Sequence, residues 1–136
     1  MWGKLIYASV HMAQQASSWI DNQDKRERIM KAIIVFAYAC KAQLHNKSLK
    51  DEGGDDLVNK NVISRKELGA ICVQTGWEPY YCLEVMRDVM NNVLANEEDM
   101  KLHRSAHSAA YLSFEETSRD LATSIGGLIR WVLLCR

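Results

Sequence analysis

The sequence predicts an all-α protein, a helical bundle of about four to six helices with one long mobile loop. Three observations predict it. Apolar residues recur at spacings of three and four along most of the chain, the period of a helix with one buried face. Proline, which interrupts helices most strongly, occurs once, at Pro79. Alternating β-branched runs, the mark of strands, are scarce. A chain of 136 residues with 48% hydrophobic and 25% charged composition fits one ordered domain with a respectable core. Its predicted parts are a first helical block over 1–46, a flexible loop over 47–63 and a second helical block over 64–136.

The first helix is expected from Trp2. Trp2, Leu5, Ser9, Met12, Ala16 and Trp19 form a seam along one face, although no capping residue precedes it. The run Asp21-Asn22-Gln23-Asp24 either caps a second helix or is crossed by a continuous one. Ile29, Ile33, Phe36, Ala37, Cys40 and Leu44 mark the stripe that follows. Residues Ala32 to Cys40 are apolar throughout and bracketed by Lys31 and Lys41, far short of the about 20 residues a bilayer span needs. They read as a helix buried on most sides.

Between Lys47 and Ile63 the chain has two glycines among acids and lysines, with little to bury. A mobile linker is expected, cut first by proteases within Lys47–Lys60. Its DEGGDD core lacks the alternating oxygens of an EF-hand, so no calcium site is expected. Ser64 and Glu67 form a capping box for a short helix over 64–75, and Gly76 suits its end. Pro79 opens a helix over 79–95 striped by Leu83, Met86, Met90 and Val93. Ser113 and Glu116 supply a second capping box for a last helix over 113–134, with Leu121, Ile125 and Leu128 inward.

Little here promises chemistry. Seventeen basic residues balance seventeen acidic ones, so no nucleic-acid partner is expected. Cys40, Cys72, Cys82 and Cys135 form no metal-binding spacing and read as small packed hydrophobes in a reducing compartment. No secretory leader is read: Lys4 is the lone early cation, and Gln14 and Gln15 interrupt any apolar core. His103 and His107 stand at i, i+4, but Arg104 occupies the place of a zinc-protease glutamate and no third ligand is near. No catalytic residue, cofactor or metal is expected, and the chain is not read as an enzyme. On composition alone the default is a freestanding soluble helical module that binds another protein.

Three stretches point further. WGKLIYASVHMAQQASSWI resembles the bestrophin family of anion channels in its plant, algal and bacterial branch. A Trp-Gly-x-Leu-aliphatic motif there follows the pore-lining helix, matched by Trp2, Gly3, Leu5 and Ile6. A Ser-x-x-Leu-Ala-x-Gln pattern follows, matched by Ser9, Ala13 and Gln15, with Met12 for its Leu; Val10 and Gln14 stand where an arginine is common. GWEPYYCLEVMRDVM is similar to the family's Pro-aromatic step into a helix outside the membrane, through Pro79. FEETSRDLATSIGGLIR resembles the helix leading into its Gly-x-x-Glu-Arg-Ile motif. Gly126 and Arg130 match, whereas Ile129 replaces the Glu and Trp131 the Ile.

The resemblance implies the cytosolic helical portion of a chloride or bicarbonate channel that assembles as a pentamer. Membrane helices are expected before Trp2 and after Arg130, so the chain is expected to be a partial one that does not conduct alone. The parent would sit in a membrane, a plastid thylakoid being one candidate, with this portion on the cytosolic or stromal side. Its seam at Trp2–Trp19 is expected to want a partner helix, so the isolated chain is expected to be oligomeric or poorly soluble.

Overall fold

The computed structural model describes residues 2–74, 76–102 and 104–134. Six helices carry the chain: α1 (Trp2–Trp19), α2 (Gln23–Leu44), α3 (Asp55–Asn59), α4 (Arg65–Cys72), α5 (Glu78–Ala95) and α6 (His107–Leu134). Two short 3-10 turns, Glu97–Asp99 and Arg104–Ala106, link α5 to α6. The chain is all-α as expected; among the described residues the one extended pairing is an isolated bridge between Ile20 and Met100.

The 3.6-residue period sorts each long helix into an inner and an outer face. The inner stripe of α2, with Phe36 and Cys40, packs on α5, whose stripe of Leu83, Met86, Met90 and Val93 is buried as predicted. Leu5, Ala8, Met12 and Ala16 of α1 are buried as α1 packs on α6. The seam is therefore largely covered within the chain. The two run antiparallel: the Trp19 carbonyl accepts from the Lys101 amide at 2.8 Å, while Gln15, a turn earlier, reaches Ser113. The start of α1 thus lies beside the later half of α6. In α2, Ala37 is exposed and not part of the buried stripe as expected, because it shares the outward face with Ile34, so Ala32–Cys40 has one open side.

Residues 20–22 break the first two helices apart. Asn22 takes an extended conformation and its Oδ1 accepts from the Lys25 amide at 3.1 Å, an N-cap. Asp99 then fastens the junction. Its carbonyl accepts from the Asp21 amide at 2.7 Å, and its carboxylate takes Asn22 Nδ2 at 3.0 Å and pairs with Lys25. The Lys25 hydrogen bond pulls the Asp99 carboxyl below its ordinary 3.8 against the opposing effect of burial, and Asn22 and the Lys25 charge add to it. A carboxyl with a depressed folded pKa contributes stability that is present above its unfolded pKa and lost as pH falls through the folded one. Urea unfolding followed by circular dichroism should show stability falling as the medium is acidified below about pH 4. Asp99→Ala should lower stability at neutral pH and flatten that acid limb. An unchanged limb would mean the clamp does not hold the junction.

Three expectations need correction. The stretch over 47–63 is not an unstructured loop: it turns tightly over Lys50–Gly54, kinked at Glu52 and Gly53, and then forms α3. Leu49, Leu57 and Ile63 are buried and pin it to the core. Three of its four acids are ion-paired locally, Glu52 with His45 at 2.8 Å and Lys41 at 3.5 Å, Asp55 with Arg65 and Asp56 with Lys60. Second, α6 begins at His107, so Ser113 is no cap; residues 107–112 contain neither glycine nor proline to stop the helix. Third, α4 ends at Cys72, earlier than expected, although Gly76 takes the positive φ of +83° that its place in the turn favours. Ser64 caps α4 through the Glu67 amide at 3.1 Å, and Pro79 sits in the first turn of α5, both as read.

Candidate functional site

The ten resemblance positions fall in two places. Seven lie on α1, and the structure divides them between its faces. Leu5 and Gln15 point inward and are buried, and Ser9 and Ala13 are half-buried, with the Ser9 hydroxyl donating to the Leu5 carbonyl at 2.8 Å. Gly3 and Ile6 lie outward with Tyr7 and Val10; nothing stands within 4 Å of where a Gly3 Cβ would be. Trp2 opens α1, and its side chain lies outside the described ones.

Gln15 makes the seam partly polar. Its Nε2 donates to Ser113 Oγ at 3.0 Å, and Thr117 Oγ1 donates to the Ser113 carbonyl at 3.0 Å. Gln15 Oε1 and Ser118 Oγ are buried without a hydrogen-bond partner. An unpaired buried acceptor costs on the order of 1–3 kcal/mol, so the polar pair fixes the register of α1 on α6 more than it strengthens the contact.

The other three positions meet at the far end of the bundle. Pro79 is buried at the start of α5, and the next residue, Tyr80, reaches across to α6. A Cβ on Gly126 would stand 3.6 Å from Tyr80 Oη, a van der Waals contact that keeps the helices close. Burial raises the Tyr80 phenol, and the Arg130 cation counters it, which places Arg130 in the same neighbourhood. Trp77 packs on the Tyr80 ring at a centroid distance of 5.5 Å, tilted 46°. Because α1 and α6 are antiparallel, this end also holds Gly3 and Ile6. Residues at opposite ends of the sequence therefore gather at one end of the fold.

A groove that sequence reading missed runs between α2, α4 and α5. Its cavity is about 300 Å³, floored by Ala32, Val35, Ile71, Cys82 and Val85. Arg28 and Glu67 pair across its mouth at 3.1 Å. Three elements from distant segments build it, so no short motif could have announced it. Cys82 in its floor and Cys40 behind it are free thiols. Burial pushes each up to about 12, helped by the charge of Cys82 on Cys40 and of Glu78 on Cys82. Both are poor nucleophiles at neutral pH. His107 bonds the Leu102 carbonyl at 3.1 Å, and His103 lies outside the described residues. Among the described residues no group of three His, Cys, Asp or Glu side chains is placed to hold a metal, and no helix is long and apolar enough to cross a membrane. No family model matches this chain, and neither the curated proteins nor the solved structures contain a significant match to it.

Proposed function

We propose that this chain is the helical portion, outside the bilayer, of a bestrophin-like anion channel, where it forms vestibule wall and subunit contacts around a chloride or bicarbonate path. The observation that carries this reading is the convergence of its motif positions. Gly3 and Ile6 on α1, Pro79 on α5, and Gly126 with Arg130 on α6 share one end of the bundle. In a channel of this family, membrane helices would join before α1 and after α6, and both junctions would then leave from that end. A pore itself needs spans across about 30 Å of hydrocarbon, so conduction would belong to the whole assembly.

The test is a chimera that joins this chain to the membrane helices of a bestrophin, reconstituted in liposomes. Chloride flux from a pentameric chimera, with none from the chain alone, is the expected result. A chimera that inserts and assembles but passes no anion would overturn the reading, as would flux from the unfused chain. The α2–α4–α5 groove favours a second reading, a freestanding module that holds a partner protein; a chain that stays monomeric at high concentration and never supports flux would favour it.

A further inference from the structure

Acidic residues are unevenly spread along this chain. All seventeen fall between Asp21 and Asp120, so α1 and the chain from Leu121 onward contain none. Antiparallel packing lays these two acid-free stretches side by side, the first half of α1 against the second half of α6. The same end exposes its large apolar and aromatic side chains. Tyr7 is 74% exposed, Trp131 52% and Leu134 86%, with Ile6 and Val10 beside Tyr7 on α1. Trp77, 64% exposed, joins them through its contact with Tyr80, the neighbour of Gly126 and Arg130.

The cations here are unspent. Lys4 and Arg130 are exposed, and neither has an ion-pair partner among the described residues. The carboxylate at the start of α5, Glu78, is buried. The acids over Asp51–Asp56 pack on α2, and three of the four are already ion-paired. Exposed Trp and Tyr flanked by Lys and Arg, beside the acid-free α1 and the acid-free stretch of α6 from Leu121 onward, match the chemistry of a membrane–water interface. The aromatic rings suit the headgroup layer, and the cations suit anionic phosphates.

We propose that this end of the bundle, through Tyr7, Trp77, Trp131, Lys4 and Arg130, docks peripherally on a bilayer containing anionic phospholipid. The docking rests on this surface and not on the channel reading; anion flux plays no part in its test. The full chain is mixed with vesicles of phosphatidylcholine and phosphatidylglycerol, or of phosphatidylcholine alone, and bound protein is measured by co-sedimentation. Binding to the anionic vesicles is expected, with a blue shift of tryptophan emission, weak binding to phosphatidylcholine alone, and loss at high salt. Lys4→Glu with Arg130→Glu should weaken binding at least about tenfold, and Tyr7→Ser with Trp131→Ser should also weaken it. Lys101→Glu, at the opposite end, should leave it intact, and circular dichroism checks that each variant is folded. Absence of binding to anionic vesicles overturns the proposal, as does equal binding by the folded charge-reversed variant. Tyr7-dependent self-association without vesicle binding would assign the face to a second copy of the chain.

Discussion

Phe114→Ala should lower stability by about 3–5 kcal/mol, measured as a shift in the urea midpoint at constant slope. A domain of this kind has roughly 5–15 kcal/mol in total, so the variant is expected to stand near the edge of folding. Phe114 is 1% exposed on α6, directly after the Ser113 that receives Gln15. Two things make its truncation severe. The ring is wholly withdrawn from water, so the transfer contribution is lost in full. The cavity left behind can close only if α6 moves against its neighbours, and α1 is tied at both the Ser113 contact and the Asp99 junction. A cost under about 1 kcal/mol would show that the site collapses freely and that α1 is loosely held.

The long helices were legible because their periodicity is strong. The stripes through Phe36 and Cys40, through Met86 and Met90, and through Leu121 and Ile125 each placed a buried face, with Ala37 wrongly counted into the first. Capping chemistry was legible where the cap stands alone, as at Ser64. It misled at Ser113, since a Ser-x-x-Glu spacing also arises inside a helix, where the serine serves a neighbouring helix instead. The candidate site was legible only as a set of positions. Leu5 and Ile6 belong to one motif, yet one is buried and the other exposed, and the motif cannot say which side is covered. The meeting of Tyr80 with Gly126 and the groove floor on Cys82 depend on helices far apart in sequence, which local patterning does not see.

Gly53→Ala and Gly54→Ala should each cost about 1–3 kcal/mol and should turn a protected segment into the first site of proteolysis. Composition made Lys47–Ile63 look mobile, because acids and lysines outnumber its apolar residues. Three anchors, Leu49, Leu57 and Ile63, nonetheless suffice to hold it, each buried. The two glycines allow the chain to turn tightly enough to seat them. Gly53 has φ +118°, where an L side chain is strained, and a Cβ there would approach Tyr38 Cε1 to 3.0 Å. Gly54 lies under Leu68: its Cβ would stand 2.7 Å from Leu68 Cδ1 and 2.9 Å from the Leu49 carbonyl oxygen, which also accepts the Gly54 amide at 2.9 Å. Leu68 can swing aside, but the backbone oxygen cannot move without losing that hydrogen bond. Loosening either glycine therefore frees Leu49 and Leu57 together, and a protease should then cut at Lys47, Lys50 or Lys60 well before global unfolding. If alanine is tolerated at both positions, and the wild-type chain is already cut there first, the segment is a loose linker and its contacts with Tyr38 and Leu68 do not hold it.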